Sequence, residues 1–342
     1  MMLKRPYTHF LSVLSFFHRI VCFLVYYTGL YFIISRFFRG KALILCYHSV
    51  NHPENKDIYP DNIVSVDNFE KQIAYVSAYK RVVSLSSFMG YINKGQNFPP
   101  NLACITFDDG YRDFLEFAHP VLRKHAVPST VFPVTCLLDE GNGKWDDHAA
   151  SLINRMPNEL LSLEGEGVPE SYDLSTDTLR KACILDLHRH LSNLDPTSRV
   201  ALMSTLETMS ECPSQRVTLS WNDLTEISKD RFVSFGCHAH THRNLARLPP
   251  EEALQDILRS KELIAEKLGR RCLHFSYPFG NVGSYNPEIK KMLRKIGFHS
   301  AVTTRRGLNR SASDPFEVRR IVVRDDSSYV FKCSLIGLTL QR

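Results

Sequence analysis

Three short polar clusters carry most of the chemistry this sequence could perform. The first is Asp108-Asp109-Gly110, which follows the apolar run Leu102–Phe107 with no basic residue between. Adjacent carboxylates at an apolar strand end repel each other and are costly to desolvate unless they share a cation or a proton. Neighbours on an extended segment point to opposite sides, so one can ligate a metal while the other faces water or substrate. Gly110 lets the chain turn tightly beside them. The plain structural alternative is a helix N-cap at a strand-to-helix turn. The second cluster places His238, His240 and His242 within five residues. Imidazole is a common ligand for zinc and similar ions, and three so close together point to one coordination site rather than three separate hydrogen bonds. A helical turn would put His238 and His242 on one face, whereas an extended chain would pair His238 with His240; spacing leaves the choice open. Two imidazoles and one carboxylate leave positions open on a metal, as hydrolysis requires, and an unligated carboxylate nearby can accept a proton from water. The third cluster runs from Phe275 to Asn281, where Pro278 and Gly280 set a rigid turn. Tyr277 or Phe279 could floor a sugar groove there, the alternative being aromatic packing in the core.

All three clusters fall at the ends of apolar strands within an alternating pattern. Ala42–Tyr47 reads as a buried strand ending at His48, and Val66–Tyr79 as a helix with Asp67 as its N-cap. Leu102–Phe107 is a continuous apolar run of the kind buried on both faces of a parallel sheet. A helix over Arg112–Lys124 and a strand over Ser129–Val134 follow. Further strands are expected at Phe232–Cys237, Leu273–Tyr277, Ser300–Thr303 and Val318–Val323, separated by helices at Pro250–Leu268 and Glu288–Ile296. Strands alternating with helices imply βα units around a parallel sheet or barrel, whose active residues sit at the C-terminal strand ends. Residues 139–219 interrupt this rhythm with largely helical, charged stretches, and Trp145, Asp146, Asp147 and His148 within them could line a substrate groove.

A chain of 342 residues with 44% hydrophobic and 23% charged residues can bury a sizeable core, which excludes wholesale disorder and a polytopic membrane protein. The net charge of +6 suits an anionic glycan or an acidic surface and is no nucleic-acid footprint. Nine cysteines include no CxxC pair, and several sit inside apolar runs as small buried hydrophobes, consistent with a reducing compartment. Residues 1–40 form a separate apolar segment. Ile20–Ser35 holds sixteen residues without a charge, short of the ~20 a helix needs to cross a bilayer. Arg19, Arg36, Arg39 and Lys41 flank it, and Tyr26, Tyr27 and Tyr31 supply interfacial aromatics. A signal anchor, a helix lying in the interface and a helix packed on the barrel are the three readings. Membrane association is expected, at a bacterial inner membrane and on its cytoplasmic face.

The motifs Thr106–Gly110, Gly236–Leu245 and Phe275–Gly280, in that order, resemble the polysaccharide deacetylase family, the NodB-homology group also called carbohydrate esterase family 4. Leu219–Leu224 (LSWNDL) and Leu45–Val50 (LCYHSV) also look familial, and the likeness spans about residues 41–323 apart from the insertion. The resemblance implies a deformed (β/α)7 barrel that removes N- or O-acetyl groups from sugars with a divalent metal, usually zinc. It implies Asp108 as the base and Asp109, His238 and His242 as metal ligands, with His240 outside the set. Two departures stand out. Ser276 occupies the place of an Arg that orients the base in many members, and no late Leu-x-x-His motif supplies a general acid; both occur in a YPYG-like branch. His48 and His274 are the candidate acids, the backbone N–H of Tyr111 a candidate oxyanion donor, and Tyr277, Phe279 and Trp145 candidate sugar contacts. The substrate expected is an acetylated polysaccharide or lipid-linked saccharide of envelope glycan synthesis. A non-catalytic carbohydrate-binding or scaffold barrel, and an amidohydrolase-type barrel using His238 and His240, are the rival readings.

Overall fold

The computed structural model describes residues 6–338 apart from residues 39, 142, 158, 164–170, 195 and 211–215. Its chain opens with two helices, α1 (Pro6–Tyr27) and α2 (Leu30–Phe37), bent 95° from one another at Thr28 and Gly29. The α/β part begins with strand β1 (Leu43–Tyr47), followed by α3 (Val66–Tyr79) and α4 (Leu85–Asn93). Strand β2 (Leu102–Asp109) is buried along all eight residues, as its unbroken apolar character demands. Next come α5 (His119–Lys124), β3 (Ser129–Pro133) and three helices of the insertion, α6 (Trp145–Arg155), α7 (Asp177–Asn193) and α8 (Pro196–Met209). The rhythm resumes with α9 (Trp221–Ile227), β4 (Val233–Phe235), α10 (Pro250–Leu268), β5 (His274–Ser276), α11 (Pro287–Lys295), β6 (Ser300–Val302), β7 (Ile321–Val322) and α12 (Ser328–Ser334).

Five of these strands run parallel in the order β7-β1-β2-β3-β4, and β5 pairs with β6, also in parallel. Single bridges join the two groups, Cys237 to Phe275 on one side and Val302 to Val318 on the other. The seven strands therefore make two parallel groups linked by lone bridges, an arrangement consistent with the expected (β/α)7 barrel in a deformed, incompletely closed form. The registers Leu45↔Ile105↔Ser129 and Cys46↔Thr106↔Thr130 bring the strand ends level. Tyr47, Asp108 and Asp109 thus reach one rim together.

Local sequence explains where the elements stop. Ser220 and Asp223 form a reciprocal capping box at the start of α9, satisfying backbone donors that would otherwise lack partners. Helix α3 spans Val66–Tyr79 as expected, but its N-cap position is Ser65 and Asp67 lies in its first turn. The helix expected over Arg112–Lys124 forms in two parts, a π-helical stretch at Phe114–Ala118 running directly into the short α5. There Asp113 accepts from Ser49, from Asn51 Nδ2 at 3.2 Å and from the Val50 N–H at 3.3 Å, tying the segment to the chain after β1. The insertion has an apolar cluster of its own, with Ile153, Leu187 and Leu206 buried together.

Candidate active site

Asp108 stands at the end of β2, 2% exposed, and its partner comes from the far end of the chain. Arg320, completely buried, grips both carboxylate oxygens, Nη1 to Oδ1 at 2.7 Å and Nη2 to Oδ2 at 2.6 Å. The same side chain donates through Nε to the Thr303 carbonyl at 2.9 Å and through Nη1 to Thr106 Oγ1 at 3.2 Å. Arg320 precedes β7 and is level in register with Ile44 and Cys104, four positions short of Asp108, so a long side chain is needed to reach the carboxylate from there. Ser276 Oγ completes the group, donating to Asp108 Oδ2 at 3.1 Å while accepting from Arg320 at 3.0 Å. Burial alone would push the Asp108 carboxyl up; the Arg320 guanidinium reverses that and holds it well below the ordinary carboxylate range. The Arg absent from position 276 is thus supplied by position 320.

Asp109 turns away from this pair because its φ is +70°. Gly110 follows at φ +77°, and a Cβ there would meet the Cβ of Pro133 at 2.9 Å, so the turn requires glycine. Asp109 Oδ1 lies 3.3 Å from His238 Nε2 and 3.4 Å from His242 Nε2. His238 Nδ1 donates to the Ser276 carbonyl at 2.8 Å, which fixes the proton on Nδ1 and leaves the Nε2 lone pair facing Asp109. Oδ1 is consequently a buried carboxylate oxygen with no hydrogen-bond donor. Donors about 2.0–2.1 Å from a tetrahedral ion lie about 3.3–3.4 Å from one another. The spacing, the orphaned oxygen and the lone pair of His238 fit a divalent cation held by Asp109, His238 and His242.

His242 adopts φ +55° and Ala239 φ +61°, conformations that cost energy for residues other than glycine and concentrate at functional sites. Asp256 holds the loop, accepting from the N–H groups of His240 at 2.8 Å and Thr241 at 2.9 Å and from the Thr241 hydroxyl at 2.7 Å. This turn decides the question the spacing left open. The rings of His238 and His242 come within 4.9 Å, whereas His240 bonds Thr135 through Nδ1 at 2.9 Å and lies outside the cluster. Burial lowers His242 well below the usual imidazole range, keeping it the neutral ligand that metals require.

The cavity above these groups has a volume of about 150 Å³ and is lined also by His48, Asn62, Lys144, Asp146, His188, Tyr277, Phe279 and Thr304. Lys144, from the loop entering α6, donates to Asp109 Oδ2 and is buried to 9% exposure. Sequence reasoning missed Lys144, His188, Asn62, Thr304 and Arg320. No motif marks them, although the adjacent Asp146 was singled out. His48 is within the expected reach: its ring nitrogen, Cys46 Sγ and an Asp108 oxygen all lie within 4.8 Å of one another. Burial lowers its pKa, against the opposing pull of Asp109 and Asp108. Phe279 is 41% exposed with its ring 5.0 Å from that of His242, so an aromatic face does border the cavity.

Of three other expected residues, His274 and Trp145 lie outside the cavity and Tyr277 is in its wall. His274 begins β5 one layer down the barrel, its ring held between Ser86 Oγ and Ser300 Oγ at 2.8 Å each, and is no candidate acid. Tyr277 also lines the cavity, but its side chain is fully buried, stacked on Tyr285 at 4.4 Å and donating to the Phe316 carbonyl, so it forms the packed wall beneath the exposed Phe279. Trp145 packs on the insertion's apolar cluster and against His188 at 5.3 Å; its neighbours Lys144 and Asp146 line the cavity in its place. Asp147 is also turned inward, bonding the Tyr111 hydroxyl at 2.8 Å and the Tyr59 N–H at 2.9 Å. The main chain of Tyr111 bridges Thr218 through the Gly110 carbonyl and the Arg112 N–H, a pairing that does not use the Tyr111 N–H.

Fold and donor set together define an α/β-barrel hydrolase with a two-imidazole, one-carboxylate cation site. Comparison with known proteins makes this specific. The family model for polysaccharide deacetylase matches residues 95–169 and 200–301. The poly-beta-1,6-N-acetyl-D-glucosamine N-deacetylase of Staphylococcus aureus (strain N315) is 31% identical over 311 residues, covering 84% of this chain and 80% of that protein. Among solved structures, Streptococcus pyogenes deacetylase PplD in complex with acetate superposes with a TM-score of 0.58 at 17% identity, over 87% of this chain and 99% of that one. IcaB from Ammonifex degensii gives 0.57 at 19% identity, over 88% and 98%. The chain belongs to the polysaccharide deacetylase family and is a carbohydrate deacetylase of NodB type.

Proposed function

We propose that the chain hydrolyses the N-acetyl group of a β-linked N-acetylglucosamine glycan, polymeric or lipid-linked, using zinc. The observation that carries this reading is the donor-free Asp109 Oδ1 facing two imidazoles, beside an Asp108 whose charge is locked in by Arg320. Asp109, His238 and His242 would hold the ion. When bound, it would supply Lewis acidity to the acetyl carbonyl and acidity to a water.

The rest of the work falls to the chain. Asp108, kept ionised and oriented by Arg320 and Ser276, accepts a proton from the attacking water. The Tyr111 N–H, outside the Thr218 bridge, donates to the oxygen that gains charge as water adds to the acetyl carbon. The carbon–nitrogen bond then breaks, acetate departs, and the proton taken up by Asp108 passes through His48 to the leaving amine. His48 stands within 4.8 Å of Asp108, and its depressed pKa makes its protonated form a ready donor. Phe279 offers its face to the sugar ring. Arg320 removes the main support for a non-catalytic scaffold, since the base is organised after all. His240 lies outside the donor set, which disfavours the amidohydrolase arrangement.

The test is acetate release from poly-β-1,6-N-acetylglucosamine oligomers, chitin oligomers and an O-acetylated glycan, before and after chelation and zinc restoration. Release from an N-acetylated oligomer that chelator abolishes and zinc restores is expected. Release from the O-acetylated glycan alone, or undiminished by chelator, overturns the reading.

A further inference from the structure

The two N-terminal helices present a surface that the hydrolytic reading leaves without a role. One side of the pair is fastened to the barrel. Cys22 is buried against Val330 and Cys333, the Tyr26 hydroxyl accepts from Lys332 at 2.8 Å, and buried Tyr31 meets the Tyr75 hydroxyl at 3.4 Å. Arg19 adds an ion pair to Asp326 at 3.7 Å. The other side is apolar and open, with Phe16, Phe17, Leu24, Phe32, Ile33 and Phe37 between 51% and 78% exposed. Of the eighteen large hydrophobic side chains exposed among the described residues, eleven fall between Phe16 and Phe37. Such concentration distinguishes a contact surface from the scattered apolar residues every protein displays.

The geometry shows how the surface is used. The uncharged run that reads in sequence as a short span is broken by Gly29, which caps α2 at φ +79° and turns it 95° away from α1. No single helix among the described residues is long and apolar enough to cross a bilayer. Straightening the pair into one span would pull Cys22, Tyr26 and Tyr31 off the barrel. Charge identifies the occupant. The first acidic residue of the chain is Glu54, while Lys4, Arg5, Arg19, Arg36, Arg39 and Lys41 all precede it. The remainder carries equal numbers of basic and acidic residues, so the entire net charge of +6 belongs to this segment. A segment whose sequence is cationic and whose open face is apolar matches a bilayer surface with anionic headgroups.

We propose that α1 and α2 form an L-shaped collar that lies in the plane of an anionic membrane, holding the barrel at the lipid surface without crossing it. This inference stands on the helices alone and does not depend on the substrate reading. The full chain, added to preformed vesicles of phosphatidylcholine alone or mixed with phosphatidylglycerol, is assayed by flotation. Association with the mixed vesicles, weakened by salt and released by alkaline carbonate, is expected. The variant Phe32→Ser/Ile33→Ser/Phe37→Ser should bind at least tenfold less. Its acetate release from a soluble N-acetylated oligosaccharide should be unchanged, which shows that the barrel is folded. Resistance to carbonate would mean that the segment spans, and equal binding to neutral vesicles would remove the role of charge. Failure to float, with the same variant converting a dimer to a monomer, would make a second copy of the chain the occupant. Each of these three results overturns the proposal.

Discussion

Replacing Arg320 by Met isolates the residue that organises the base. Asp108 is 2% exposed and receives two short N–H···O bonds from this guanidinium, at 2.7 and 2.6 Å. Removing one partner of a buried ion pair leaves the other charge uncompensated and typically costs about 3–5 kcal/mol. Two charge-assisted bonds at about 1.5–3 kcal/mol each give the same range. The carboxyl escapes part of this cost by taking up a proton, since burial then acts on it unopposed. The variant should therefore retain its metal yet lose turnover by about 10²–10⁴-fold at neutral pH, the usual contribution of a positioned general base. In the wild type the depressed carboxyl stays ionised to low pH; in Arg320→Met the acid limb of kcat/KM should move to higher pH. Combining the change with Asp108→Asn removes the stranded charge, so the double variant should melt above the single one while remaining inactive. Metal analysis, a pH–rate profile and thermal melts read these three effects. An Arg320→Met enzyme with wild-type rate, melting point and pH profile would refute the assignment of Asp108 as a base held by Arg320.

Other substitutions separate the remaining roles. Asp109→Asn and His242→Ala should abolish metal retention by elemental analysis, whereas Asp108→Asn should keep the metal and lose turnover. His48→Gln should slow release of acetate from the amide by about 10²-fold or more while sparing an aryl acetate, whose leaving group needs no proton; equal losses on both would remove His48 as the acid. Burial and the nearby His299 lower His274 from 6.5 to about 4. Its neutral form therefore contributes about 3 kcal/mol of stability above pH 6.5 that is lost as pH falls towards 4. His274→Gln should flatten the pH dependence of denaturant midpoints across that window without altering metal content.

The sequence made the strand ends and their carboxylates and imidazoles readable for a physical reason. A strand buried on both faces needs an unbroken apolar run, and polar residues placed at the end of such a run stand out against it. Asp108, Asp109, His238 and His242 were visible in this way, although only the loop conformation excludes His240. Arg320 was not. It lies among charged and apolar residues near β7, and nothing local shows that its side chain points along the barrel interior. Tyr277 and Phe279 illustrate the same limit in two residues of one turn. Both border the cavity, yet the first is buried against Tyr285 while the second, at φ +63°, is exposed, a difference set by backbone angles that composition does not encode. Lys144, Asp146 and His188 belong to the insertion, where side-chain placement depends on how three helices pack against the rim.

The order of these residues along the polypeptide has a consequence for synthesis. The three cation ligands are complete by position 242, but the guanidinium that organises the base does not exist until residue 320 has been made and β7 has docked beside β1. A nascent or C-terminally truncated chain can therefore assemble an ion pocket whose neighbouring carboxylate has no fixed orientation. Such a chain would bind metal and remain inert, so hydrolytic competence reports that the ring of strands has been finished.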